Sequence, residues 1–124
     1  MAEHNNLGKW GEEKAAQYLQ HHGYTIRDRD WRYGHRDLDI VAVTEDQTIL
    51  VIVEVKTRSN NEIEEPEEAV DRKKIRNLMR AANDYVKLFA IENEVRFDII
   101  TVVGTNDSDV RIEHIVEAFN PLLI

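Results

Sequence analysis

The 124-residue sequence predicts an α/β fold: a mixed central β-sheet flanked by helices, in the order αβββαβ with a short terminal strand. Three observations predict it. Two segments, residues 7–22 and 67–90, repeat their apolar residues at helical spacing. Between them lie three β-rich runs separated by short polar turns. A further apolar run, VRFDIITVV, follows the second helix and is ended by Gly104 and the polar stretch TNDSD.

The first helix starts from a cap at Asn5 or Asn6 and stops at Gly23. Ala15, Ala16 and Leu19 form its buried stripe, with Trp10 and Tyr18 nearby. Glu12 precedes those three by three, four and seven residues, so it lies on or beside the stripe, whereas Glu13 points elsewhere. A carboxylate at the edge of a buried face is unusual, although a flanking residue whose head reaches water has the same periodicity.

YTIRDRDWRY reads as the first strand, with Gly34 and His35 in a turn. The next two strands lie within DLDIVAVTEDQTILVIVEVKTR, which starts at Asp37. In the later of them, Ile49, Val51, Val53 and Val55 make one wholly apolar face. Leu50, Ile52, Glu54 and Lys56 make the other, which begins apolar and ends in charge. The earlier strand divides likewise, with Leu38, Ile40 and Ala42 on one face and Asp37, Asp39, Val41 and Val43 on the other. A two-residue turn at Asp46-Gln47 sets Asp39 opposite Glu54, Asp37 opposite Lys56 and Ile40 opposite Val53. That register gathers four charged groups at one end, and a one-residue slip would oppose charge to the apolar face. A longer loop of the same parity keeps the clustering.

The second helix opens after Pro66, with acidic residues suited to its positive end. Its stripe is Val70, Leu78, Ala81, Tyr85 and Leu88, with Lys74 aligned among them. VRIEHIVEAF then leads as a short strand or turn into the tail.

One domain spans residues 1–124, with 42% hydrophobic residues for a core and a charged fraction, 32%, below that of disordered chains. No run is apolar enough for a membrane span, and the first ten residues lack the pattern of a secretory signal. With no cysteine there is neither a disulfide framework nor a thiolate metal site, and a cytoplasmic location is the simplest reading. A net charge of -8 opposes tight non-specific binding to a polyanion. Local charge matters more: RDRDWRYGHR carries four Arg against two Asp, and DRKKIRNLMR is richer still in Lys and Arg. Solvated surface charge accounts for both segments equally simply.

Two carboxylates pointing together repel and need a cation between them to stay ionised. Mg²⁺ prefers oxygen ligands, uses one or two carboxylates and keeps several waters. Asp39 and Glu54 suit that role, with the Val55 carbonyl in reach. Lys56, two residues on from Glu54, is placed to orient a water or to neutralise charge on a phosphoryl group. Together these parts suit phosphodiester hydrolysis. Charge placement alone fits solvated strand ends at least as well, with an Asp37–Lys56 surface pair worth about 0–1 kcal/mol.

The ordered series of motifs resembles a known family. Asp39 followed fifteen residues later by Glu54-Val55-Lys56 is similar to the PD-(D/E)xK core of restriction-endonuclease-like folds. More specifically, the chain resembles the uncharacterised bacterial YraN-like family, a relative of archaeal Holliday-junction resolvases. Gly8, Gly11-Glu12, Ala15, Tyr18-Leu19 and Gly23-Tyr24 match its first-helix pattern. DLDIVA corresponds to its usual EIDLIA, VEVKTR to its central signature, Val70, Lys74 and Ala81 to its long helix, and RFDIITV to its last core strand. The glycine that usually precedes EIDLIA is Arg36 here, which bears on the turn rather than on the metal pair. The resemblance implies a nuclease fold that binds nucleic acid, DNA more than RNA, with Mg²⁺ or Mn²⁺, and the resolvase kinship alone suggests branched or structured DNA. It implies Asp39 and Glu54 as metal ligands, Lys56 as the catalytic lysine and Glu12 as the first-helix carboxylate near the metal, with Asp37 a weaker candidate. It also implies a C2 homodimer, because resolvases cut two strands symmetrically.

Arg58 and Lys74 are candidates to contact phosphate, and Arg58 is equally a structural residue. Trp31 and Tyr33 could stack on unpaired bases, although core packing is the commoner fate of such aromatics. The histidines show no metal-ligand spacing, and a local hydrogen bond suffices for Asp98. Two rivals to a nuclease stand: a non-catalytic nucleic-acid-binding module that kept the fold, and an interaction domain whose acidic EIEEPEE loop meets a basic partner.

Overall fold

A computed structural model describes residues 2–59 and 71–120 of the chain, with side chains from residue 6 onward in the first helix. The elements are α1 (Ala2–His21), β1 (Thr25–Tyr33), β2 (Arg36–Val43), β3 (Ile49–Arg58), α2 (Arg72–Leu88), β4 (Glu94–Val103) and β5 (Arg111–Ile115). The strands form one sheet in the order β1-β2-β3-β4-β5. It is mixed: β3 and β4 run parallel and the other neighbours antiparallel. A parallel pair needs a long crossover, and α2 lies within it.

The apolar alternation of the strands decides the layering. α1 covers one face, where Ala15, Ala16 and Leu19 meet Ile40, Val51 and Ile100. α2 covers the other, where Leu78, Ala81 and Tyr85 meet Val41, Ile52 and Ile99. The expected fold class, a mixed sheet flanked by helices, is the one observed.

α1 begins at Ala2, so Asn5 and Asn6 lie inside it rather than capping it. Its end is as expected. The Tyr24 N–H reaches the Leu19 carbonyl at 2.9 Å and the Gly23 N–H the Gln20 carbonyl at 3.2 Å, with Gly23 at φ 90°. This is a Schellman closure, which needs the left-handed conformation that glycine adopts freely. The side chain of Asp71 caps α2 by accepting the Lys74 N–H. The expected start of that helix, Pro66 to Val70, and the EIEEPEE loop lie outside the described residues. In the stripe of α2, Leu78, Ala81 and Tyr85 are buried as expected, joined by Ile75 and Ala82, but Leu88 is 55% exposed.

β2 and β3 pair in the expected register, from Val43↔Leu50 to Ile40↔Val53. The turn is a four-residue loop, 45–48, rather than two residues; the Thr44 N–H bonds the Ile49 carbonyl, so parity is preserved. Asp46 organises this loop, accepting from both the Thr44 and Thr48 hydroxyls at 2.7 Å.

One face assignment changes. Leu38 packs on the α2 side with Val41 and Val43, whereas Ile40 and Ala42 face α1. The β1–β2 register runs through Arg29↔Ile40 and next pairs Trp31 with Leu38, passing over Asp30 and Asp39. Asp30 sits at φ 50°. An L-residue with positive φ breaks strand alternation, and both strands change face at that point.

Candidate functional site

The sheet opens where its acidic residues begin. The β2–β3 ladder stops at Ile40↔Val53. Beyond it, Asp39 Oδ2 accepts the Val55 N–H at 2.9 Å. A side chain thus takes the place of a ladder carbonyl, which brings the Asp39 carboxyl to the backbone between Glu54 and Lys56. The expected direct opposition of Asp39 and Glu54 is therefore replaced by side-chain reach across a gap. Asp37 is paired with Arg32 of β1 instead of Lys56.

Glu54 is buried, 4% exposed, at the charged end of an otherwise apolar strand face. Its Oε2 receives two ammonium groups, Lys56 at 3.2 Å and Lys74 at 3.3 Å. Lys56 comes from the same face of β3, two residues on, and Lys74 from the first turn of α2. The expected alignment of Lys74 with the buried stripe is what delivers it to this carboxylate.

Charge is crowded here. Burial, and then the Glu54 carboxylate, push the Asp39 carboxyl up to about 8 against the opposing pull of the Val55 N–H. Glu12 and a hydrogen bond with Glu54 add to the rise. Burial works against the charge on Lys74, but Glu54 outweighs it and raises the ammonium pKa. Glu12, half-buried on α1, is raised by burial, then by Asp30, with Asp37 and Glu54 contributing less. Glu12 therefore feels the site, but among the described residues no three acidic or histidine side chains gather closely enough to ligate one metal. Glu13 turns away, as expected, to Arg29 at 2.9 Å.

The donor set fits the ion expected from the sequence. Burial, and then the neighbouring Glu54 carboxylate, raise the Asp39 pKa, an environment that a divalent cation relieves. With only two carboxylates, the set matches Mg²⁺ or Mn²⁺, which complete their coordination with water.

Arg58 closes β3, its carbonyl accepting the Gly104 N–H. Trp31 is packed edge-on against Tyr85, so it belongs to the core, whereas Tyr33 stands 51% exposed. Asp98 is fully buried and accepts from Arg96, His114 and the Glu117 N–H, the local role expected of it.

Thr101 escaped sequence reasoning. It pairs with Lys56 in the β3–β4 ladder, is buried, and its hydroxyl has no hydrogen-bond partner among the described residues. A threonine in the middle of the apolar run FDIITVV was the available signal. Asp30 was missed as well, because nothing in RDRDWRY says which residue takes positive φ.

These features lie within a segment shared by a family of sequences. The profile of the Uncharacterised protein family UPF0102 matches residues 11–102, from the first helix through the site to β4. The chain belongs to this family. A UPF0102 protein of Bacteroides thetaiotaomicron is 61% identical over 99% of both chains. One of Bacteroides fragilis is 55% identical over 99% of both. One of Porphyromonas gingivalis is 48% identical across this whole chain and 90% of its own. The YraN-like resemblance read from the motifs is thus the family found by comparison. No helix among the described residues is long and apolar enough to cross a membrane.

Proposed function

We propose that this UPF0102 protein is a metal-dependent nuclease that hydrolyses phosphodiester bonds, in DNA more than RNA. One observation carries the reading: the buried Glu54 and the Asp39 carboxyl meet where β2 leaves β3, with Lys56 and Lys74 held against Glu54. Exposed strand ends in simple salt bridges would not need a carboxylate that is 4% exposed, beside a second one whose pKa burial and that neighbour raise.

Asp39 and Glu54 are the residues that would hold Mg²⁺ or Mn²⁺. Such an ion supplies Lewis-acid activation and a more acidic bound water. Lys56 is the group placed to meet the reacting phosphate. Its ammonium lies 3.2 Å from Glu54 and, were that carboxylate holding a cation, would be free to stabilise charge on a phosphoryl oxygen or to orient the attacking water. Lys74 is half-exposed and suits an adjoining phosphate. Glu12, near but outside the pair, would act through water.

The second reading, a binding module that kept the fold, is supported by the two lysines that already neutralise Glu54. Calorimetric titration with Mn²⁺ and Mg²⁺ separates the two. The nuclease reading expects binding in the wild type that is lost in Glu54→Ala and weakened by about tenfold or more in Asp39→Asn, each tenfold being 1.4 kcal/mol. Paramagnetic broadening by Mn²⁺ should centre on those two residues. Absence of binding up to millimolar metal, both alone and with DNA, would favour the binding module.

A further inference from the structure

Tyr33 is the most exposed large aromatic side chain on the β1–β2 hairpin. Its ring lies parallel to Trp31, at an interplanar angle of 5° and a centroid distance of 5.9 Å. Trp31 is itself held edge-on by Tyr85 at 5.1 Å and by Phe89 at 6.5 Å. The outer ring is therefore backed by a ring that the core holds in place. Nothing in the core requires Tyr33 itself.

The hairpin tip meets α2 in a cleft of about 290 Å³ lined by His35, Arg36, Asp37, Lys74, Asn77 and Arg80. Lys74 is shared between this cleft and the Glu54 site. The tip is tied to the helix by the Arg36–Asp84 pair at 2.9 Å. Lys74 and Arg80 are six residues apart on α2, about 9 Å along the helix axis. Arg36, Lys74 and Arg80 bring three permanent cations to this cleft beside Asp37, with Arg36 paired to Asp84 and Lys74 to Glu54. On the sheet side it adjoins a second hollow, lined by Arg32, Gly34, His35, Arg36 and Asp37, with Tyr33 between the first two in sequence. Tyr33 is the cross-strand partner of Arg36, which lines both hollows, so the aromatic residue borders the cations of the cleft.

We propose that this cleft and Tyr33 bind an unpaired nucleic-acid segment beside the scissile bond. The backbone phosphates lie along Lys74, Arg80 and Arg36, and one base stacks on Tyr33. A duplex keeps the faces of its internal bases stacked on one another, whereas every unpaired base offers a free face to an aromatic ring. The platform therefore selects substrates with a single-stranded arm or gap. Because Tyr33 is pre-stacked, little ordering is lost on binding. The proposal rests on the nuclease reading above and specifies its substrate.

The test uses the full chain with three fluorescent oligonucleotides: a single strand, a blunt duplex, and the duplex with a single-stranded arm carrying 2-aminopurine. Anisotropy and 2-aminopurine quenching are read in EDTA and again with Mg²⁺. The armed duplex and the single strand should bind more tightly than the blunt duplex and quench the probe. Tyr33→Ala should weaken their binding by about tenfold and abolish quenching, with blunt-duplex binding unchanged. Tyr33→Phe should behave as wild type, and an unchanged melting temperature in Tyr33→Ala confirms that the fold is intact. Wild-type affinity in Tyr33→Ala, or an equal loss on all three probes, overturns the platform while leaving the Glu54 metal titration to judge the nuclease. No binding of any probe under either condition overturns both.

Discussion

Asp39 and Asp98 are acidic residues placed in strands, yet they meet opposite fates. Asp39 has one backbone donor and a carboxylate neighbour, so its pKa rises. Asp98 is buried more completely, and burial alone would raise it too. The hydrogen bonds from His114, Arg96 and the Glu117 N–H outweigh that penalty and hold it below the usual carboxylate range. A carboxyl lowered in the folded state binds its proton less readily than in the unfolded chain, whose value is about 3.9. Its contribution to stability is therefore complete above that value and lost as the pH falls through the folded pKa. Acid unfolding followed by circular dichroism should show a limb below about pH 4 that is flattened in Asp98→Asn. The same variant should be less stable at neutral pH, because Arg96 loses its charged partner. The role of Asp98 as a local anchor was legible from its place in a strand; the identity of its partners was not, since His114 lies on another strand.

At the scale of elements, the contact between α1 and β3 brings Glu12 near the site. Gly11 permits it. A Cβ at residue 11 would lie 1.9 Å from Thr57 Oγ1, so the helix passes directly over the residue that follows Lys56. Gly11→Ala should destabilise the protein by about 1–3 kcal/mol, the usual cost of overpacking. Urea unfolding of Gly11→Ala, Thr57→Ala and the double variant should reveal a favourable coupling, because removing the Thr57 side chain makes room for the new methyl. Both residues stand in motifs visible in the sequence, GEE and VEVKTR. That the two motifs touch follows only from helix-on-sheet packing. The α2 stripe shows the same division. Its helical spacing placed Lys74 among apolar residues and Tyr85 in the core, but Leu88, read as part of the same stripe, is exposed.

For the whole molecule, the net charge of -8 and the basic cleft oppose each other. The acidic surface repels a polyanion at long range, and attraction is confined to Arg36, Lys74 and Arg80. Each phosphate neutralised on a single strand contributes about -0.7 to the slope of log affinity against log salt, so three cations give about -2. The Arg80→Ala variant should reduce the magnitude of that slope by about 0.7, measured by anisotropy across a salt series. A slope near zero would mean that the cleft does not carry the phosphates.

The sequence by itself determined the order of elements, the β2–β3 register, the gathering of Asp39, Glu54 and Lys56 at one end of it, and the alignment of Lys74 with the buried stripe of α2. These depend on periodicity, and a period of two or 3.6 residues leaves little freedom once one face must be buried. The tertiary structure alone decided how the carboxylates meet. The alternation of β2 breaks opposite Asp30, a β1 residue with positive φ, and Asp39 accepts the Val55 N–H beyond the last rung of the β2–β3 ladder. It also decided that Trp31 is core and Tyr33 surface, although two residues apart in one strand they share a pattern. The ring of Tyr85 reaches Trp31 from a helix more than fifty residues away, and local periodicity carries no information about which of two like residues a distant element will cover.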